Sequence, residues 1–153
     1  MSLREELEDF YAEYSEVIDG GALERWPDLF VEPCLYRIVS KENHDKGLPL
    51  SLMLCESVGM LKDRAQASKE LNVYAPRAWR HSITQVRGRE EGGTIAAQAN
   101  FMVLESLPDQ HTRILCAGRY RDTLVRTEAG LRLREKICIY DAALIPGSIV
   151  MPL

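Results

Sequence analysis

T-I-A-A-Q-A-N-F-M-V-L-E-S, from Thr94 to Ser106, places Ile95, Ala97, Ala99, Phe101 and Val103 on every second position. A period of two is the signature of a strand with one face buried. Turn residues bound the stretch, Glu91-Gly92-Gly93 before it and Pro108-Asp109 after it. Similar segments flank it: His81 to Arg89 upstream, then Thr112 to Thr127 and Leu131 to Asp141, joined through Glu128-Ala129-Gly130. In the last of these, the spacing predicts Leu131, Leu133, Ile137 and Ile139 on one face with Glu135 among them. Arg132, Arg134 and Lys136 then fall on the other face, where the neighbouring strand can offer acids. The second half of the chain therefore reads as an antiparallel meander.

The first half reads differently. Leu3, Leu7, Phe10, Tyr11, Tyr14, Val17 and Ile18 recur at steps of three and four, with acids filling the opposite face, until Asp19-Gly20-Gly21 stops the helix. A second short helix carries Leu23, Trp26, Leu29 and Phe30 on one side, and Pro27 should tighten or kink it. Cys34 to Val39 is a strand candidate, Lys41 to Pro49 a polar loop and Ser51 to Glu56 a short strand. Helical spacing returns through Met60, Leu61, Arg64, Ala65 and Leu71, and residues 72–80 read as a connection around Pro76. Helices segregated onto one face of a curved antiparallel sheet define an α+β class. The expected organisation is one domain over 1–153: a helical part over about 1–30, a third helix over about 57–71, a sheet over about 81–141 and an apolar tail over 142–153.

The chain of 153 residues is long enough for one core without metals or disulfides. With 46% apolar and 27% charged residues it is neither disordered nor fibrous, and no segment supplies the ~20 apolar residues of a membrane helix. The N-terminus has no apolar signal core, and Cys34, Cys55, Cys116 and Cys138 lie far apart without a C-x-x-C pair. A cytoplasmic protein with buried thiols is expected. The net charge of −4 hides an asymmetry. Residues 1–30 carry nine acids against two arginines, whereas residues 111–136 carry seven bases against three acids. Such polarity can orient a protein partner, and the overall acidity argues against nucleic acid.

No phosphate-binding glycine loop, nucleophile elbow or H-E-x-x-H occurs, and His44, His81 and His111 are scattered. No cofactor or metal is expected in this chain, and no catalytic set is recognisable. Four residues remain candidates for an independent active site. His81 at a strand mouth could act as a base beside a carboxylate, or could simply bond to a loop. Asp122, next to Tyr120, could act as a desolvated base, or could pair across strands with Arg132 or Arg134. Tyr36 completes the group. The twelve uncharged residues from Ala142 to Leu153 should either lie back over their own sheet or dock on another chain.

Several stretches in order resemble one family: F-Y-A-E-Y (Phe10–Tyr14), I-D-G-G-A-L-E-R-W-P-D-L-F (Ile18–Phe30), C-L-Y-R-I (Cys34–Ile38), N-H-D-K-G-L (Asn43–Leu48), M-L-K-D-R (Met60–Arg64) and L-N-V-Y (Leu71–Tyr74). W-R-H (Trp79–His81), F-M-V-L (Phe101–Leu104), G-R-Y-R-D (Gly118–Asp122), G-L-R-L-R-E-K (Gly130–Lys136) and the terminal M-P-L continue the series. Together they resemble the small (beta) subunit of aromatic-ring-hydroxylating dioxygenases, most of all those of terephthalate dioxygenase and salicylate hydroxylase. The resemblance implies the cone-shaped nuclear-transport-factor-like or cystatin-like fold, with N-terminal helices packed on a strongly curved antiparallel sheet. It implies a structural role beside a catalytic alpha subunit, in a trimer of alpha-beta heterodimers, for oxidative breakdown of an aromatic carboxylate. The alpha subunit would hold a Rieske [2Fe-2S] cluster and mononuclear Fe(II), fed by NAD(P)H through a separate reductase. Self-association of the isolated chain is compatible with this. No catalytic residue carries over. The expected subunit contacts are Trp26, Trp79, Arg80, His81 and, in the tail, Leu144, Ile145, Ile149, Val150, Met151 and Leu153. The competing readings are a cone-fold isomerase, dehydratase or cyclase with its own pocket, and a dimeric ligand-binding module.

Overall fold

Helix α1 (Leu3–Asp19) opens the chain. Ser2 caps it in a capping box: its hydroxyl accepts from the Glu5 amide at 3.2 Å, and the Glu5 carboxylate accepts from the Ser2 amide at 2.6 Å. Gly20 and Gly21 close the far end, Gly21 at φ +74 in the left-handed region. The buried stripe Leu7, Phe10, Tyr11, Tyr14, Val17 and Ile18 coincides with the stripe expected from spacing. Each such side chain contributes roughly 1.5–3 kcal/mol on burial. A 3-10 helix follows over Leu23–Leu29, the tightening expected at Pro27.

The computed structural model describes residues 1–74, 76–142 and 152–153. Strand β1 spans Phe30–Ser40, α2 Lys41–Asp45, β2 Met53–Cys55 and α3 Val58–Tyr74; then come β3 (Ala78–Glu91), β4 (Thr94–Ser106), β5 (Arg113–Thr127) and β6 (Gly130–Tyr140). The sheet order is β2-β1-β6-β5-β4-β3. Helix α1 packs against β3 and reaches β6, while the 3-10 helix rests on α3. Four strand pairings are antiparallel, but β1 lies parallel to β6. The sheet is therefore mixed: the expected antiparallel meander runs over β3–β6, and β1 joins it in parallel. The segment expected as a polar loop after β1 contains the short α2, in which the Ser40 hydroxyl accepts from the Asn43 amide. Over residues 58–72, helix α3 buries Leu61, Ala65 and Ser68 and leaves Met60 and Leu71 exposed, so part of its anticipated apolar face looks outward.

Strand β4 behaves as its alternation predicts, with Ile95, Ala97, Ala99, Phe101 and Val103 all buried. Strand β6 does not. Its pairing with β5 shifts register between Thr123 and Leu124, so that Leu124 faces Leu133 while Thr123 faces Glu135. The extra residue on β6 reverses the inward phase, because side chains alternate strictly only while pairing is regular. Leu131 and Leu133 point in before the shift, and Lys136 and Cys138 after it. Similar shifts interrupt the β3–β4, β4–β5 and β1–β6 pairings. They allow the long strands to curl round the helices. At Gly118 a Cβ would come within 1.9 Å of the Ile139 carbonyl oxygen, so only glycine allows β5 and β6 that approach.

Candidate functional site

The concave side of the sheet and the inner face of α1 enclose a polar centre within an aromatic shell. Tyr11 and Tyr14 enter from α1, Tyr36 from β1, Tyr120 and Asp122 from β5, and Lys136 and Cys138 from β6. Asp122 and Lys136 stand directly opposite each other in the β5–β6 ladder. Neither side chain has any exposure, and Lys136 Nζ lies 3.0 Å from Asp122 Oδ2. The Tyr11 hydroxyl donates to the same oxygen at 2.6 Å, while Asp122 Oδ1 has no partner among the described residues. The ammonium also sits over the rings of Tyr120, at 3.2 Å from the centroid, and Tyr14, at 4.4 Å. Burial pushes the Asp122 carboxyl above its ordinary value, against the opposing pull of Lys136 and the Tyr11 hydroxyl. Burial likewise drives the phenols of Tyr11, Tyr14, Tyr36 and Tyr120 well above theirs and raises the Cys138 thiol to about 12.

Leu153 fills the remaining space. It is fully buried; its amide donates to the Tyr36 hydroxyl at 2.8 Å. Its carbonyl oxygen accepts from the hydroxyls of Tyr14 at 2.6 Å and Tyr36 at 3.2 Å, with the Cys138 thiol at 3.7 Å. The Trp26 indole N–H donates in turn to the Tyr14 hydroxyl at 3.3 Å.

A second polar group ties α1 to β3. His81 Nδ1 lies 2.6 Å from Asp19 Oδ1, and the His81 amide donates to Asp19 Oδ2 at 2.7 Å. Its Nε2 is buried without a partner among the described residues. His81 borders a crevice of about 250 Å³, with Glu8, Tyr11, Ser15 and Val86, although its ring is fully enclosed. Nearby, Glu105 of β4 is enclosed by the Trp79 indole N–H at 2.8 Å, Arg113 at 2.7 Å and Arg77 at 3.3 Å. Burial pushes the Glu105 carboxyl up, but these donors outweigh it and hold the group below its ordinary value.

Tyr36, Tyr120 and Asp122 do converge, as the enzyme reading required, whereas His81 is committed to Asp19. Asp122 pairs with Lys136 and not with Arg132 or Arg134; Arg132 lies 3.7 Å from Glu13 of α1. Alternation alone puts Lys136 on the outer face, because the register shift leaves no mark in it. The carboxylate that holds His81 stands in the D-G-G helix stop, a signal that could have been read. The convergence is not an open catalytic pocket: Tyr36, Tyr120 and Asp122 are buried, and Leu153 takes the Tyr36 hydroxyl. A cavity of about 610 Å³ lies on the other side of the sheet between Arg87, Arg89, Gln98, Arg121 and Glu135. Asp122 borders it through its backbone alone, its carboxylate being fully enclosed.

Of the expected contact residues, Trp26 is fully buried, Trp79 and His81 nearly so, and Arg80 is exposed. Leu153 is seated within its own chain, while Leu144, Ile145, Ile149, Val150 and Met151 lie outside the described residues. Sequence reasoning passed over Leu48, Leu50, Leu52 and Leu54, which lie in β2 and the segment before it and are exposed by 44%, 72%, 52% and 41%. Their signal is the spacing of L-P-L-S-L-M-L. Arg37 braces this stretch, donating to the Ser51 hydroxyl and the Leu48 carbonyl. Among the described residues no three His, Cys, Asp or Glu side chains are grouped to hold a metal ion. No helix is long and apolar enough to cross a membrane among them.

The SnoaL-like domain family matches residues 1–136. The anthranilate 1,2-dioxygenase small subunit of Burkholderia cepacia is 35% identical over 137 residues, covering 89% of this chain and 85% of that one. Subunit beta 2 of the terminal oxygenase component of terephthalate 1,2-dioxygenase from a Comamonas species is 33% identical over 146 residues, 94% of each chain. A crystal structure from Novosphingobium aromaticivorans, assigned as the beta subunit of an aromatic-ring-hydroxylating dioxygenase, superposes with a TM-score of 0.85 at 36% identity. That match covers 98% of this chain and 96% of the other.

Proposed function

This chain belongs to the SnoaL-like domain family and, within it, to the small (beta) subunits of aromatic-ring-hydroxylating dioxygenases, and from that premise we propose that it is the scaffold of an oxygenase acting on an aromatic carboxylate. The observation that carries the scaffold role is the closed interior, in which Leu153 takes the hydroxyls that a substrate would need. The carboxylate reading rests on the relatives, whose names give anthranilate and terephthalate.

The chemistry in this reading belongs to a larger alpha subunit carrying a Rieske [2Fe-2S] cluster and mononuclear Fe(II), supplied with electrons from NAD(P)H by a separate reductase. Burial raises the thiols of Cys34 to about 11 and Cys116 to about 12, as suits cysteines that pack in a core. A cytoplasmic setting suits four buried free cysteines. Three such pairs would form a trimer of heterodimers. The exposed strip Leu48, Leu50, Leu52 and Leu54 is the apolar surface on which the large subunit would dock, with Arg80 a polar contact on the β3 side.

Purification of the tagged chain from its native cells, followed by a visible spectrum and iron assay, tests this. A larger co-eluting chain with iron and Rieske absorbance is expected, and Leu50→Asp should reduce its recovery while the variant's melting temperature stays unchanged. Turnover of an aromatic acid by this chain purified alone would overturn the scaffold role.

A further inference from the structure

We propose that the interior of the cone is a binding site for a prolyl-leucyl peptide group, occupied in this structure by the chain's own Pro152–Leu153 as a tethered ligand. The proposal stands on the contacts of Leu153 and does not depend on the oxygenase reading. Leu153 is recognised as a ligand is, and not as a part of the sheet. Both its backbone polar groups are met by side chains, from Tyr14, Tyr36 and Cys138, which are drawn from α1, β1 and β6. Its own side chain is fully enclosed. Pro152 is buried as well.

Neighbours other than Leu153 orient the receiving groups. The Tyr14 hydroxyl is oriented by the Trp26 indole N–H, which leaves its own proton to donate. The Trp26 and Tyr36 rings meet edge to face at 4.9 Å between centroids, which fixes the Tyr36 ring beside it. Tyr36 then both accepts from the amide and donates to the carbonyl of the same residue. Without Leu153, the Tyr36 hydroxyl would lose both its bonds to that residue's backbone and keep only its side-chain neighbours Tyr14 and Cys138. A buried hydroxyl left in that state favours any ligand that restores the pair. The chemical class follows: a secondary amide N–H and a carbonyl or carboxylate oxygen on one residue, bearing a branched aliphatic side chain.

The test has two parts. In the full chain, hydrogen exchange at the Leu153 amide should be at least ~100-fold slower than in an unstructured peptide, because the group is bonded and buried. Tyr36→Phe should accelerate that exchange at least tenfold, about the loss of one hydrogen bond. Exchange at the free-peptide rate in the full chain would overturn the proposal, whatever the behaviour of variants. The second part uses the chain shortened by Pro152 and Leu153, titrated with N-acetyl-prolyl-leucine and followed by melting temperature and Trp26 fluorescence. A lowered melting temperature that the peptide raises again with saturation is expected, in the high-micromolar to millimolar range typical of a ligand of this size. N-acetyl-prolyl-aspartate should have no effect, and neither peptide should alter the full chain. A folded shortened chain that melts like the full one, or that ignores the leucyl peptide, would refute the site.

Discussion

Glu105 and Asp122 occupy adjacent strands of one sheet, both with fully enclosed side chains, yet the fold holds the carboxyl of Glu105 below its ordinary value and that of Asp122 above it. Burial acts on each in the same direction, by disfavouring the ion. Donors make the difference. Around Glu105 one oxygen takes two bonds from Arg113, and the other takes the Trp79 indole N–H and Arg77. Around Asp122 a single oxygen takes both Tyr11 and Lys136, and the second takes nothing among the described residues. One carboxylate is therefore solvated by protein and the other merely neutralised. The two places teach that an internal charge is tolerated in proportion to the lone pairs satisfied, and not only to the countercharge supplied.

The largest effect should come from the less satisfied site. Lys136→Met leaves Asp122 in the core without its cation, and about 3–5 kcal/mol of stability should be lost in urea melts. The double variant Lys136→Met with Asp122→Leu should regain most of that loss, since an apolar pair needs no solvation. If the double variant were as unstable as the single one, the pair would be holding more than its own charge, and the contrast with Glu105 would fail.

At the better satisfied site, Glu105→Gln keeps one acceptor oxygen but leaves two arginines and the indole N–H competing for it. A loss of about 2 kcal/mol is expected at neutral pH. The pH dependence sharpens the comparison. Glu105 is lower in the folded state than in the unfolded one, so its stabilisation is present above the unfolded value of about 4.3 and fades as pH falls through the folded value. Asp122 has the opposite sign. Its contribution is complete below the unfolded value of about 3.9 and is lost as pH rises through its raised folded value. Acid titration of stability should therefore be shallower in Glu105→Gln than in the parent below about pH 4.3. An unchanged acid limb would remove Glu105 as its source.

The legibility of these sites in the sequence differed for a physical reason. Alternation over Thr94–Ser106 reported its buried face correctly because the strand stays regular across it, and the α1 stripe was readable for the same reason. Alternation over Leu131–Tyr140 misplaced Lys136 because a register shift is a property of two strands, and only one was being read. The parallel β1–β6 pairing joins Phe30 to Leu133 and Ser40 to Tyr140, contacts that no local pattern encodes. The seat of Leu153 is equally remote, reaching back to Tyr14 and Tyr36. The family resemblance supplied the cone, but the partners within it come from long-range packing. Short-range signals that were present and unread include the S-x-x-E cap at Ser2 and the leucine spacing along the β2 edge.

The smallest effect isolates exposure from donor number. Arg126 joins Glu6 of α1 and Glu90 of β3, a three-residue charge cluster as well connected as the one around Glu105. It differs in lying half exposed, at 48% of the Arg126 side chain. Water already solvates these groups in the unfolded chain and continues to do so in the folded one, while salt screens what attraction remains. Arg126→Ala should leave the urea midpoint within experimental scatter, and raising the salt concentration should erase any residue of an effect. A loss matching that of Glu105→Gln would mean that connectivity alone sets the energy of a charge cluster in this fold. The expected silence at Arg126, set against the response at Glu105, would assign that energy to burial acting together with complete pairing.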